Sequence, residues 1–496
     1  MSTSATEVEL SVRKGNESLS VETNHDIEDG VPVTKPGSSS SSCSSDNEMR
    51  ELKPDEKKVE EKSLEDWKLL FMFMVLGFIA LAPWNFVLTE LVYLNDKFEH
   101  QFSSNVSIYY GLSVNVAELL LIFIGNKFAF APRMDIGCVL LASFNIALAL
   151  VAMFIGNDDP CDNAGLGFGL GLVCTFMLGF GHSFIESCAF GLAALGSQAC
   201  MNWGMIGEGV AGLIGWPINI LINYILISCG VERYAEWRCF IFFLVTTVLT
   251  ILCLPMYHYG MMKHPYMKQV MEMEAKRKAG GLKQRQTRRP VYRILMDIAV
   301  PAFVVWCALT ITFVVFPSQV TQFTSGKGAA DNASFIPLIT YMYQIFDTVG
   351  RFAPNVGIRL PQLWLVALAL SRGIFIPLFI CIKLFPWNAA FQHNYFKHIM
   401  MAIFAFTNGV TSTLGMMMGP TKVPDDRNEQ EIAGYAMSFC LIDGILIGSI
   451  FGIWCMVYCY TVLFDEPFVL NNNNSVLGEL KFDNVNHVAC SLFLYT

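Results

Sequence analysis

The feature that most constrains this chain is a series of long apolar runs, each near the length of a bilayer crossing, that recur from residue 69 to residue 460. A hydrocarbon core about 30 Å thick takes roughly 20 helical residues at about 1.5 Å per residue. Measured against that length, about eleven runs qualify: 69–88, 108–126, 136–157, 163–185 (continuing to about 197), 209–231, 239–262, one within 298–326, 333–354, 360–382, one within 399–421, and 432–460. In lipid, only helices and closed barrels satisfy their own backbone groups, and runs this long exclude barrel strands. Charged residues make up 15% of the 496-residue chain, against about one quarter in a soluble domain. The expectation is an all-α polytopic membrane protein.

Orientation follows from the placement of Lys and Arg. The loop 263–293 holds Lys263, Lys268, Lys276, Arg277, Lys278, Lys283, Arg285, Arg288, Arg289 and Arg293. It follows the sixth run, so the N-terminus is expected on the cytoplasmic side, and the odd span count puts the C-terminus outside. Lys53, Lys57, Lys58, Lys62 and Lys68 agree, as does the acidic segment Asn157-Asp158-Asp159-Pro160 on the outer side. Sequons at Asn105 and Asn332 also fall outside and suggest a glycoprotein. The expected parts are a disordered cytoplasmic tail at 1–63, a six-helix bundle at 64–262, a basic loop at 263–294, a five-helix bundle at 295–463 and an extracellular tail at 464–496. The tail 1–63 is rich in Ser, Glu and Asp and cannot bury enough apolar surface to fold. The net charge of −9 is unevenly placed, and no basic, aromatic face suggests a nucleic acid. The fifteen cysteines are scattered without zinc spacing. Cys161 and Cys229 fall on the same outer side, which leaves a disulfide between them open. No cleavable signal peptide and no clear retention signal is visible, so the plasma membrane is the default location, with an intracellular membrane still open.

A charge at mid-bilayer costs about 2.5–3.5 kcal/mol on insertion scales and marks a functional candidate. Here these are Glu118, Glu186, Glu208, Asp347, Arg351, Arg372 and Asp443, with His182 beside them. Asp347 and Arg351 are four apart, so they share a helix face and can pair. That pair either staples its helix or turns the Arg351 fork toward a polar ligand. Five acids face only two arginines. Glu118, Glu186, Glu208 and Asp443 are thus candidates for charge selectivity or proton coupling. Pro83, Pro217, Pro301, Pro317 and Pro377 sit in or near spans and can kink them. Gly207, Ala211 and Gly215 form a small-residue stripe suited to close helix approach, and Gly165, Gly167, Gly169 and Gly171 open the fourth span in the same way. Trp84 and Asn85 after Pro83 set an aromatic ring beside an amide, which suits a flat heterocycle, although a packed core Trp reads equally well. No HExxH, G-x-S-x-G or phosphate loop is present, and no metal or cofactor set is expected. The inventory points to movement of a small polar solute rather than to an enzyme.

Several segments together resemble the equilibrative nucleoside transporter family over about residues 64–463. They are Leu81-Ala82-Pro83-Trp84-Asn85, Phe190-Gly191-Leu192-Ala193-Ala194-Leu195, Gly207-Glu208-Gly209-Val210-Ala211-Gly212, Ile345-Phe346-Asp347-Thr348-Val349-Gly350-Arg351, Ser371-Arg372-Gly373-Ile374-Phe375-Ile376-Pro377-Leu378, Phe404-Ala405-Phe406-Thr407-Asn408-Gly409 with Gly419-Pro420, and Glu431-Ile432-Ala433-Gly434. The resemblance implies a major-facilitator-like fold of eleven helices, six against five, working by alternating access. It implies a nucleoside or nucleobase as the small-molecule partner, within a lipid bilayer, and leaves protons as a second partner open. By the same resemblance Trp84 lines the site with Asn85, Leu81 and Leu88; His182, Glu186 and Gln344 belong to it, and Asp347 and Arg351 face sugar hydroxyls. Glu186 departs from the family, many of whose members carry a base-reading glutamine there. An ionised Glu only accepts, whereas Gln also donates. Glu208 is a second departure, and a monoamine-carrying branch has an acid in that slot. An organic-cation or polyspecific carrier on the same fold is therefore a second reading, and a receptor or scaffold without flux a third.

Overall fold

The computed structural model describes residues 66–98, 102–125, 128–155, 164–279, 289–316, 319–320, 323, 329–385, 388–424 and 427–458. The expected tails 1–63 and 464–496, Cys161 with its open pairing to Cys229, Pro317, the Asn332 side chain and the middle of the basic loop lie outside the described residues. What is described is helical. The long helices are α1 (Trp67–Thr89), α2 (Phe102–Ile124), α3 (Phe130–Phe154), α4 (Ala164–Leu195), α5 (Gln198–Ser228), α6 (Tyr234–Pro255), α7 (Ala299–Val315), α8 (Ala329–Arg351), α9 (Gln362–Ser371), α10 (Asn394–Met418) and α11 (Arg427–Tyr458). Among the described residues, nine helices are long and apolar enough to cross a membrane, or ten if a bent pair is one span. Many side chains on their outer faces are exposed and apolar, such as Leu120, Phe123, Val139, Leu221 and Leu252, as lipid contact requires.

Local chemistry explains the ends and breaks. Asp66 caps α1 by accepting a bond from the Lys68 N–H at 3.1 Å. That backbone donor, with His264 beside it, holds the Asp66 carboxyl below its usual value. Ser197 caps α5 by accepting from Cys200 N–H at 3.3 Å. The short helix Val291–Asp297 meets α7 at 69°. Pro301 explains this bend, because it has no N–H to offer the Asp297 carbonyl. After α9 a 3-10 turn at Arg372–Ile374 leads into Phe375–Leu384, so the expected ninth span is interrupted at its arginine. α8 is also long enough to span, at 23 residues, and it holds Asp347 and Arg351.

Glycines set the closest crossings. A Cβ on Gly77 would stand 2.0 Å from the Gly204 carbonyl oxygen, and one on Gly207 2.0 Å from that of Met74. The backbones of α1 and α5 therefore touch where the small-residue stripe begins. α8 and α10 cross in the same way at Gly350 and Gly409; a Cβ on Gly409 would lie 2.0 Å from the Asp347 carbonyl oxygen. In α4 only half of the expected glycine stripe packs. Gly167 and Gly171 sit against Phe98 and Phe102, while Gly165 and Gly169 face open space. A helix rotates its residues by about 100° each, so alternate glycines turn away from one another's contacts rather than forming one seam. α1, α3, α4, α5 and α6 pack among themselves, and α7 packs on α11 as α8 does on α10. The two groups meet where α11 lies on α2 and α4, and where α8 lies on α5.

Candidate functional site

Two polar networks are buried along these meeting lines. The first starts at Trp84 of α1, half-buried, whose ring stacks on Tyr110 of α2 with centroids 3.9 Å apart and planes 8° from parallel. The Tyr110 hydroxyl lies 2.5 Å from His182 Nδ1. His182 Nε2 meets Glu186 Oε2 one helical turn along α4. If the hydroxyl donates to Nδ1, the neutral imidazole keeps its proton on Nε2 and donates to Glu186, which satisfies all three groups. Glu186 Oε1 lies 3.0 Å from Ser438 Oγ of α11, and the same Oγ lies 3.0 Å from Glu118 Oε1 of α2. Glu118 and Glu186 are each 1% exposed.

The second network centres on Arg351 at the end of α8. Its Nε donates to Asp347 Oδ2 at 2.9 Å, and its Nη1 donates to Glu208 Oε2 at 3.0 Å and to the Met205 carbonyl at 2.7 Å. Asn408 of α10 donates to Asp347 Oδ1 at 2.7 Å and to the Tyr343 hydroxyl at 3.2 Å. Its Oδ1 accepts from Arg372 Nη1 at 2.8 Å and from the Thr312 hydroxyl at 2.7 Å. The Arg372 guanidinium also lies over the Phe404 ring, 5.1 Å from its centroid. Gly209 and Gly212 make room for this network on α5. A Cβ at Gly209 would stand 2.9 Å from Arg351 Cδ, and one at Gly212 2.3 Å from Gln344 Oε1. Among the described residues the Gln344 amide and Arg351 Nη2 have no hydrogen-bond partner.

The structure thus brings Trp84, His182 and Glu186 together with Glu118, and Gln344, Asp347 and Arg351 together with Glu208. Asn85 and Leu81 are half-buried beside Trp84; Asn85 Nδ2 donates to the Leu81 carbonyl at 3.2 Å, within its own helix. Leu88 is exposed. Asp443 stands apart from both networks, half-buried, and accepts from Trp306 Nε1 at 2.8 Å. The expected imbalance of five acids to two arginines resolves by location. Glu208 and Asp347 face Arg351 with Arg372 behind, whereas among the described residues no Lys or Arg pairs with Glu118 or Glu186.

Sequence reasoning missed several members. Tyr110, Ser438, Thr312 and Tyr343 are neutral and sit in apolar runs. A third buried arginine, Arg133, belongs to α3 because that helix starts at Phe130, six residues before the expected span. Arg133 Nη2 donates to the Tyr435 hydroxyl at 2.6 Å and lies 3.5 Å from Glu431 Oε1, with Phe130 and Tyr435 rings 4.7 and 5.0 Å from its guanidinium. Glu90 is likewise buried, held bidentately by Arg238 at 2.9 and 3.1 Å.

A polytopic helical protein with polar networks on the seam between two helix groups belongs to a known architectural class. The fold is that of the major facilitator carriers: a solved proton:xylose symporter of that superfamily superposes with a TM-score of 0.55 at 11% identity, over 82% of this chain and 96% of that one. Within that class the chain belongs to the nucleoside transporter family, whose model matches residues 172–457. Human equilibrative nucleoside transporter 1 is 26% identical over 453 residues, covering 78% of this chain and 95% of the human protein. Nucleoside transporter 1 of Plasmodium vivax is 24% identical over 407 residues, covering 79% of this chain and 88% of its own. Family and fold are those of transporters and not of enzymes.

Proposed function

We propose that this chain is a multi-pass membrane carrier that moves nucleosides by alternating access, with nucleobases as a related substrate class. The observation that carries the reading is the α5–α8 seam. There Asp347 and Glu208 face Arg351 with Arg372 joined through Asn408, two acids to two arginines, yet Arg351 keeps a donor on Nη2, and Gln344 keeps its whole amide. Such a seam can bind a neutral, hydroxyl-rich solute without importing net charge. The Trp84–Tyr110 stack supplies the flat apolar surface that a heterocyclic base needs. In this reading Trp84, Leu81, Asn85 and Leu88 with His182 and Glu186 take the base side, and Gln344, Asp347 and Arg351 take the sugar.

Eleven spans fit the reading if α8 is counted with the ten apolar crossings, its polarity serving the solute. The N-terminus would then be cytoplasmic and the C-terminus extracellular, with bundles at 64–262 and 295–463 and the plasma membrane as location. Asn105 would be on the glycan-bearing side.

One observation favours the organic-cation reading. Asp443 is half-buried beside the Trp306 ring, with no cationic partner among the described residues, and an acid beside an aromatic ring suits a cation. Glu208, the other motive for that reading, is already matched by Arg351. Uptake of labelled uridine, adenosine, hypoxanthine and a monoamine by oocytes expressing the chain separates the two. The nucleoside reading expects saturable uridine or adenosine uptake that Asp443→Asn leaves in place. Saturable uptake of the monoamine alone, lost in Asp443→Asn, rejects it.

A further inference from the structure

The first network has a hydrogen count that does not close. Ser438 Oγ lies 3.0 Å from an oxygen of Glu118 and 3.0 Å from an oxygen of Glu186, but a hydroxyl has one hydrogen to give. It can donate to one carboxylate. The other contact is a hydrogen bond only if that carboxyl is itself protonated and donates to Oγ. With both acids ionised, one of the two contacts would set a lone pair against a negative oxygen in a water-poor interior. Two carboxyls at close quarters retain a proton for this reason.

The surroundings sharpen the point. Glu118 Oε2 is buried with no hydrogen-bond partner among the described residues. α4 brings His182, whose Nε2 meets the far oxygen of Glu186 and whose Nδ1 meets Tyr110 of α2. α1 has no charged side chain between Lys68 and Glu90. α3 brings Arg133, which is turned to Tyr435 and Glu431, and Asp135, which pairs with His258 at 2.6 Å. α5 brings Glu208, which is matched by Arg351 of α8. α11 brings Ser438 itself, with Cys440 and with Asp443 on Trp306. Among the described residues of these helices, no Lys or Arg pairs with Glu118 or Glu186.

We propose that Glu118 and Glu186 hold one exchangeable proton between them, bridged by Ser438, and that the carrier moves this proton together with its solute. The proposal rests on the carrier reading above. The two acids ride on α2 and α4, and the hydroxyl rides on α11 across the seam. Alternating access slides one helix group along the other, which breaks the bridge and opens the acids to water. The proton is taken from water on one side as an O–H bond to a carboxylate oxygen, and is returned to water on the other side when that bond breaks. Nothing is oxidised or reduced.

The test uses the purified full-length chain in proteoliposomes with radiolabelled uridine. For one proton per solute, an inward gradient of one pH unit drives about tenfold accumulation above the external level, and a protonophore abolishes it. Ser438→Ala and Glu118→Gln are each scored by gradient-driven accumulation relative to their own uridine exchange without a gradient. The expected ratio falls to near one in both. Wild-type exchange with no accumulation overturns the proposal and leaves the carrier reading standing. If wild-type protein exchanges no nucleoside or nucleobase, the carrier reading fails. The shared proton is then still measured by infrared spectroscopy of the same protein. A protonated-carboxyl band at neutral pH, lost in Glu118→Gln and shifted in Ser438→Ala, supports the pair; no such band in wild-type protein overturns it.

Discussion

Arg351 is the residue on which the second network depends most. It is 7% exposed, while Asp347 and Glu208 are 3% and 4% exposed. Replacing it with Met keeps much of the volume and removes the cation, leaving two buried carboxylates without their partner. Removing one side of a buried ion pair costs about 3–5 kcal/mol. Arg351 also makes two bonds to charged groups, each worth about 1.5–3 kcal/mol, so the two routes agree in scale. Arg351→Lys keeps the charge but gathers it on one nitrogen that cannot repeat the fork, and should fall by about 1.5–3 kcal/mol. The informative variant is the double change Arg351→Met with Glu208→Gln. It removes one of the two stranded charges and should be more stable than the sum of the single changes implies, with a coupling of about 0.5–3 kcal/mol. Equilibrium unfolding of the purified chain in mixed detergent micelles reads wild type, Arg351→Met, Arg351→Lys, Glu208→Gln and the double variant. The reasoning fails if Arg351→Met unfolds with wild-type midpoint and slope, or if the two changes simply add.

Gly409→Ala should cost about 1–3 kcal/mol and reduce uptake, because its Cβ would meet the backbone of Asp347 and of Arg351, at 2.0 and 2.9 Å; Gly373→Ala meets nothing within 4 Å and serves as the neutral control in thermal melts. Tyr435→Phe removes the hydroxyl between Arg133 and Glu431 and should lower stability by about 1–3 kcal/mol in the same unfolding assay. Asp66 has its carboxyl held below the usual value, first by the Lys68 N–H, so its contribution is present above the unfolded-state value near about pH 4 and fades as pH falls through the folded-state value. Asp66→Ala should therefore flatten the acid limb of a melting-temperature profile and leave its alkaline limb unchanged. Trp84→Ala should raise the KM for uridine by removing the aromatic surface that the Trp84–Tyr110 stack offers in the proposed site, while Trp84→Phe, which keeps an aromatic ring, should stay near wild type in an uptake series.

The spans were legible because lipid imposes a length on them, and that length is written in the sequence as uncharged runs. The same rule blurred where function intrudes. α3 starts at Phe130, so Arg133 belongs to it although it lies before the uncharged run at 136–157. α8 carries the charges of the second network and so reads as the least membrane-like of the long helices. Pairing was harder to read, because partners lie far apart in the chain. Arg351 and Glu208 are 143 residues apart, and Ser438 and Glu118 are 320 apart. Asp347 with Arg351 and His182 with Glu186, each four apart, are the pairs that local geometry could give. Ser438 was given no weight for a physical reason. Hydroxyls in buried helices usually bond the carbonyl one turn back, as Thr246, Thr247, Thr250 and Thr411 do here. Nothing in the sequence marks Ser438 as the one that reaches across the seam instead.

The two networks differ in what they can do, and the difference lies in their counterions. Around Arg351, two acids and two arginines are joined directly and through Asn408, so a solute in the proposed site meets donors held in place by ion pairs. Around Ser438, two acids meet across one hydroxyl with no arginine, so any change in that geometry changes how many protons the acids can hold. Glu208 sits on α5, which packs against α4, the helix that carries Glu186. On the proposed reading, a solute that pulls on Arg351 would loosen its hold on Glu208, and the charge so exposed would act on the acid pair. On the proposed reading, solute recognition at the Arg351 seam and proton coupling at the acid pair are separate in chemistry but carried on neighbouring helices. That adjacency is why uridine binding at one should alter proton release at the other.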